Sequence, residues 1–197
     1  MCGIVGYLGE RIARDALIDG LRRLEYRGYD SAGAAFHDGD AFSVARETGR
    51  VENLASALRE SDPRSTLGIA HTRWATHGAV TVANTHPHLS HDGKIALVHN
   101  GVIENFATLK RFLMGTGIEF ASETDSEVLC NLIAHHYAEL EGEENRLLEA
   151  LRKALAQCRG AYGIAVLCAD QPGVMLGARR GSPLVVGLGG GETFLAS

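Results

Sequence analysis

Only four prolines, four cysteines and one tryptophan occur in 197 residues, and each scarcity removes a class of protein. There is too little proline for a proline-rich linker, and the glycines follow no period, which excludes a collagen-like chain. Cys2, Cys130, Cys158 and Cys168 form no CxxC pair and lack the density of a secreted disulfide framework, so a reducing compartment is expected. No run of about 18 apolar residues is present, and the opening MCGIVGYLGERIARD carries no basic leader. Neither a membrane span nor a signal peptide is therefore read, and a cytoplasmic location is expected. Charge of one sign is missing too: 24 acidic residues against 19 basic ones leave a net charge of -5 with no long run, which argues against a nucleic-acid footprint.

What is abundant is glycine, at 24 residues, in a chain that is 45% apolar and 22% charged. That composition suits one folded domain, read as residues 2–197, with many tight backbone positions. Residues 2–8 read as a strand. Ala13, Leu17, Leu21 and Leu24 then set an apolar helical stripe with arginines outside it. The segments 31–37 and 41–46 flank His-Asp-Gly-Asp, a hairpin signal, and Val51, Leu54, Ala55 and Leu58 suggest a short helix. Strands are expected at 67–71 and 94–99, with a polar, histidine-bearing loop at 72–93 between them. Helices follow over 104–114, after the capping run Ser122-Glu123-Thr124-Asp125, and around Leu147, Leu148, Leu151 and Leu155. Four short strands close the chain, at 163–169, 174–178, 183–188 and 193–196. Strands and helices come in blocks without βαβ alternation, so the expected class is α+β with antiparallel sheets.

Cys2 is the first residue with chemical potential. Its small side chain permits removal of Met1, which would leave one residue holding both a thiol and a free α-amine. That amine, with a pKa of about 7.7–8.0, can collect the thiol proton near neutral pH. Three segments could supply the rest: His71-Thr72-Arg73-Trp74-Ala75-Thr76-His77-Gly78, Val98-His99-Asn100-Gly101, and Ser122-Glu123-Thr124-Asp125. Each is expected at a strand end or helix start. Arg73 offers a planar fork for a carboxylate, Asp125 a counter-charge for an ammonium, and Asn100 with the Gly101 amide two donors for an oxyanion. Together they describe a pocket for an amino acid with a reactive side-chain carbonyl. Taken singly each has a plainer reading, as a buried thiol, surface charges, a turn and a helix cap.

The opening Cys2-Gly3-Ile4-Val5-Gly6, the loop Leu24-Glu25-Tyr26-Arg27-Gly28-Tyr29-Asp30-Ser31-Ala32-Gly33 and the three segments above resemble the class II glutamine amidotransferase domain. The likeness extends to Arg159-Gly160-Ala161-Tyr162-Gly163 and Gly181-Ser182-Pro183-Leu184, in the same order along the whole chain. The resemblance implies the Ntn-hydrolase fold, a four-layer αββα sandwich with two mainly antiparallel sheets. It implies Cys2 as nucleophile, Asn100 and Gly101 as the oxyanion hole, and Arg73, Thr76 and His77 as holders of the glutamine carboxylate. Asp125 and the Gly101 carbonyl would take its ammonium, Trp74 would border the ammonia exit, and Arg27 would belong to a closing loop. No cofactor and no metal are implied. Wording at residues 27–30 and 73–78 favours the sugar-phosphate branch, whose members aminate fructose 6-phosphate to glucosamine 6-phosphate, over the amidophosphoribosyltransferases. Members of that branch continue into sugar-isomerase domains and form homodimers; this chain is expected to stop inside its glutaminase domain.

Two other classes compete. Five histidines from His77 to His99, with His86-Pro87-His88 and His91 close together, invite a zinc site, but no carboxylate or cysteine completes an obvious ligand set. A non-catalytic glutamine-binding module would follow if Met1 were retained, because a blocked amine cannot act as base. Cys130, Cys158 and Cys168 are read as packing residues.

Overall fold

The computed structural model describes residues 2–74 and 79–197. Its elements, in chain order, are β1 (Gly3–Leu8), α1 (Ala13–Leu24), a 3-10 turn (Glu25–Arg27), β2 (Ser31–Asp38), β3 (Ala41–Thr48), α2 (Val51–Ser61), β4 (Leu67–Arg73), β5 (His88–Leu89), β6 (Ile95–Ile103), α3 (Phe106–Gly115), α4 (Asp125–Glu139), α5 (Arg146–Gln157), β7 (Gly160–Cys168), β8 (Met175–Arg180), β9 (Val185–Gly189) and β10 (Glu192–Ala196). Ten strands form two sheets, ordered β3-β2-β4-β1-β10-β9 and β5-β6-β7-β8, and every strand pair is antiparallel.

Apolar alternation on the strands separates three packing layers. Val5, Tyr7, Ala34, Phe36 and Ala70 face Leu17 and Leu21 of α1 and Leu54 and Leu58 of α2. Ile4, Ala35, Ile69, Ala96, Val98, Ala165 and Leu167 fill the space between the sheets. Ile95, Leu97, Ile103, Ile164 and Val166 face Leu109 of α3, Leu132 of α4 and Leu151 of α5. The result is a helix-sheet-sheet-helix sandwich in which the central strands β1, β2, β4 and β7 are buried along most of their length, while the edge strand β9 is exposed. Each fully buried leucine or isoleucine contributes roughly 1.5–3 kcal/mol through the apolar surface it removes from water.

Parity places the chemistry. Along β1 the even residues point between the sheets, along β4 the odd ones do, and along β6 the even ones do. Cys2, His71, Arg73 and Asn100 therefore continue the inter-sheet side of their strands, all at one end of the sandwich. The antiparallel register brings the start of β1 beside the end of β4, with Gly3 opposite Thr72.

Asn100 and Gly101 do not end a strand. β6 stays paired with β7 from Ile95 opposite Cys168 to Ile103 opposite Gly160, so they sit inside it. The backbone permits this because residue 101 is glycine: its φ is +136°, and a Cβ there would come within 2.1 Å of the Ala161 carbonyl oxygen. Two smaller departures follow. α3 starts at Phe106, not 104, because the Asp125 carboxylate and the Arg159 carbonyl hold residues 103 and 104. The expected 72–93 loop gives its first two residues to β4 and His88–Leu89 to β5.

Candidate active site

The site opens on Cys2, immediately ahead of β1. The Trp74 backbone N–H donates to Cys2 Sγ at 3.3 Å, and the thiol lies 3.7 Å from the Trp74 carbonyl oxygen. The other three cysteines are buried and free of disulfides. Burial raises the Cys130 and Cys168 thiols and pushes Cys158 up to about 11, so all three behave as packing groups.

Asn100 touches Cys2 directly. Its Nδ2 donates to the Cys2 carbonyl oxygen at 3.3 Å and to Ser197 Oγ at 3.0 Å, while its Oδ1 lies 2.9 Å from His71 Nε2. The amide orientation is decided chemically, because the Cys2 carbonyl can only accept a hydrogen bond. Nδ2 therefore faces Cys2, Oδ1 faces His71, and His71 must carry its proton on Nε2. Desolvation takes the His71 pKa down to about 3, so the ring is neutral at physiological pH and donates without adding charge. His86 stacks on it, with ring centroids 4.1 Å apart, and accepts the His99 backbone N–H at its own Nδ1.

Beside Cys2 lies a cavity of about 220 Å3 whose walls include Arg73, Gly101, Phe106, Glu123 and Asp125. Arg73 extends from β4, with Nη1 donating to the Ala79 carbonyl at 3.2 Å. Asp125 is the first residue of α4. Its Oδ2 accepts the Ile103 backbone N–H at 2.7 Å, and Thr124 caps the helix by accepting the Glu127 N–H at 3.1 Å. A guanidinium on one wall and carboxylates on the other suit a zwitterion. Val102 and Phe106 add apolar surface.

Trp74, at the cavity edge, is 41% exposed and packs edge-on against Tyr29 at 5.3 Å. The loop carrying Tyr29 reaches it through Gly28, where a Cβ would fall 2.8 Å from the Trp74 backbone nitrogen. Arg27 lies in the 3-10 turn just before that contact, and the cavity walls do not include it.

Cys2, Arg73, Trp74, Asn100, Gly101 and Asp125 thus converge at one end of the two sheets. Thr76 and His77 lie outside the described residues, as does Met1. His71 and Ser197 are not among the expected site residues, although His71 gives a signal: it is a polar residue at an inward position of a strand whose preceding inward residues, Leu67 and Ile69, are apolar. Among the described residues, the loop histidines His86, His88 and His91 are turned to neighbours. His88 Nε2 lies 3.0 Å from Thr124 Oγ1, and His91 lies against Asn131.

A family profile described as "Glutamine amidotransferase domain" matches residues 71–197. The chain belongs to that family. Among curated relatives of this amidotransferase domain, a protein of Thermus thermophilus named glutamine–fructose-6-phosphate aminotransferase (isomerizing) is 53% identical over 197 residues, covering all of this chain and 32% of that protein. One of the same name from Streptomyces coelicolor is 50% identical over 198 residues, again 32% of its length. The chain thus spans about a third of the curated relatives it matches. Among solved structures, the glutamine phosphoribosylpyrophosphate amidotransferase of B. subtilis, complexed with ADP and GMP, superposes with a TM-score of 0.81 at 27% identity, over 99% of this chain and 41% of that one. A structure described as the allosteric regulatory enzyme of purine biosynthesis gives 0.84 at 28% identity, over 100% and 42%. The domain has the Ntn-hydrolase sandwich that the sequence resemblance implied.

Proposed function

We propose that this domain hydrolyses L-glutamine to glutamate and ammonia through a thioester on Cys2. The carrying observation is the contact of Asn100 with Cys2 at the wall of a cavity that also presents Arg73 and Asp125. In this reading Arg73 takes the substrate carboxylate, joined by Thr76 and His77, and Asp125 takes the ammonium. The side-chain amide carbon then lies at Cys2 Sγ.

The free α-amine left by removal of Met1 accepts the thiol proton as sulfur attacks. The Asn100 Nδ2 and Gly101 N–H donors stabilise the oxyanion, and the Cys2 ammonium returns its proton to the departing ammonia. Water, activated by the same amine, hydrolyses the thioester. Trp74 and the 26–30 loop, including Arg27, would border the route by which ammonia leaves. Every group needed is supplied by the chain, so no metal or cofactor enters a step.

In the whole protein the ammonia would aminate fructose 6-phosphate, on the strength of the 53% and 50% identities to proteins named for that reaction. Sugar-isomerase domains beyond this segment, a homodimeric assembly and a cytoplasmic location belong to the same proposal. No helix among the described residues is long and apolar enough to cross a membrane.

The test is a glutaminase assay on protein whose intact mass confirms loss of Met1, run beside Cys2→Ala, with a glutamine-like electrophile as a tag. Glutamate release that needs Cys2, and a label on Cys2 alone, are expected. Activity surviving the substitution, or a label on another residue, refutes the mechanism.

A further inference from the structure

Away from the cavity, the last turn of α4 gathers a second group of ligand-type atoms. His136 Nδ1 lies 2.8 Å from Glu139 Oε2, and His135 Nε2 lies 3.5 Å from Glu139 Oε1. The three ligand atoms fall within 4.8 Å of one another. Helical phase brings this about, because both histidines reach the same carboxylate at i,i+3 and i,i+4.

Three features make the cluster more than a chance pairing. Zn2+ bonds imidazole nitrogen and carboxylate oxygen at about 2.0–2.2 Å, so tetrahedral ligands sit roughly 3.3–3.5 Å apart; the 3.5 Å spacing falls there, and the 2.8 Å spacing is a hydrogen bond that would open by about half an ångström to admit the ion. His136 also has an outer partner: the Gln157 side-chain amide at the end of α5, whose placed Nε2 lies 2.6 Å from His136 Nε2. Amide nitrogen and oxygen are interchangeable in placement. Without an ion, His136 Nδ1–H donates to Glu139 Oε2; when a cation takes that proton's place, Gln157 turned with Oε1 inward accepts His136 Nε2–H and leaves the Nδ1 lone pair for the ion. The His135 ring is held edge-on by Phe112 at 5.2 Å.

Electrostatics agree. The last turn of a helix carries partial negative charge from its unpaired carbonyls, which favours a cation there. Glu139 is half exposed and His135 partly so, which leaves a path from solvent and room for water as a fourth ligand.

We propose that His135, His136 and Glu139 bind one divalent cation of the Zn2+ class, with Gln157 orienting His136, and that the bound ion ties the end of α4 to α5. The site requires no part of the glutaminase reading. α4 is the helix whose first residue is Asp125, so a cation at its far end would firm the element that carries one wall of the cavity.

The test uses the full chain, stripped with chelator and titrated with Co2+ as a spectroscopic probe and with Zn2+ by calorimetry. Glu139→Gln and His135→Ala are the principal variants, since both side chains are solvent-accessible and their loss should leave the fold intact. One ion per chain is expected, with a four- or five-coordinate Co2+ spectrum lacking a thiolate band. Affinity should fall at least roughly ten-fold in either variant, and about ten-fold in Gln157→Ala, the scale on which loss of a supporting group acts. A Zn2+-dependent rise in melting temperature should vanish with the binding. Unchanged affinity in both principal variants, a cobalt–thiolate band, or no binding at millimolar ion would overturn the proposal.

Discussion

His71 lines the cavity, and in this reading its part in the chemistry is to position Asn100, so its removal should slow the reaction. Its Nε2–H is the partner of Asn100 Oδ1 that keeps the Asn100 Nδ2 directed at Cys2. In His71→Leu that oxygen loses its donor at a partly buried position, and an unsatisfied acceptor costs up to about 1–3 kcal/mol. Turning the amide over would relieve part of this by exchanging oxygen for nitrogen, and would aim Oδ1 at the site of the developing negative charge. If the cost falls on the transition state, glutaminase kcat drops roughly 5- to 150-fold. The ceiling is the roughly 10²- to 10³-fold expected when an oxyanion donor is lost outright. KM for glutamine should change less than about three-fold, because Arg73 and Asp125 are untouched. His71→Gln keeps a donor near the same place and should recover most of the rate. The measurement is steady-state glutamate release on Met1-processed protein, with thermal melts to confirm folding. A folded His71→Leu with wild-type kcat, an effect confined to KM, or a His71→Gln as slow as the leucine variant would refute the positioning argument.

Acid should weaken the fold through the buried histidines. Desolvation holds His71 and His88 at about 3 in the native state, far below the roughly 6.5 of an unfolded chain, so between those values the unfolded state binds more protons. Stability is then fully present above about pH 6.5 and is lost as pH falls, at up to about 1.4 kcal/mol per pH unit for each histidine; urea midpoints equal at pH 7.5 and 5.0 would contradict this. Gly101→Ala combines a φ of +136° with a Cβ 2.1 Å from the Ala161 oxygen and should cost about 2–4 kcal/mol of stability, checked by urea denaturation, where a wild-type midpoint would be the failing result. Asp125→Asn retains an oxygen for the Ile103 N–H but removes the charge, so KM for glutamine should rise at least roughly ten-fold while the melting temperature holds. A KM within two-fold of wild type would remove Asp125 from the ammonium site.

Local chemistry was readable where local physics decides. The α1 stripe, the Thr124 cap of α4 and the four closing strands all come from spacing and capping residues, and each forms within three residues of its expected place. Long-range pairing was not readable in this way. β10 lies beside β1, with Val5 opposite Ala196, a contact across nearly the whole chain that no periodicity encodes. It also brings Ser197 to Asn100. Asn100-Gly101 misled for a definite reason: Asn-Gly is a turn signature, but here the positive φ serves close packing of β6 on β7. Histidine density drew attention to residues 77–99, whereas the ligand-type cluster among the described residues lies at 135–139, where helical phase aligns side chains that look unremarkable in sequence.

The site depends on register more than on any single side chain. Cys2 shares a face with Ile4, His71 and Arg73 with Leu67 and Ile69, Asn100 with Ala96 and Val98, and Ser197 with Leu195, and all of those apolar residues belong to the layer between the sheets. A one-residue slip of β6 would send Asn100 toward the helices and bury its amide among the apolar side chains they present, such as Leu109 and Leu132. The same slip would place Ile95 and Leu97 between the sheets, in space fitted to Ala96 and Val98. Overpacking of that kind costs typically 1–3 kcal/mol at each position. The apolar alternation that selects the fold therefore also selects the orientation of the reactive groups, so the geometry of Cys2 and Asn100 is enforced by residues that never meet a substrate.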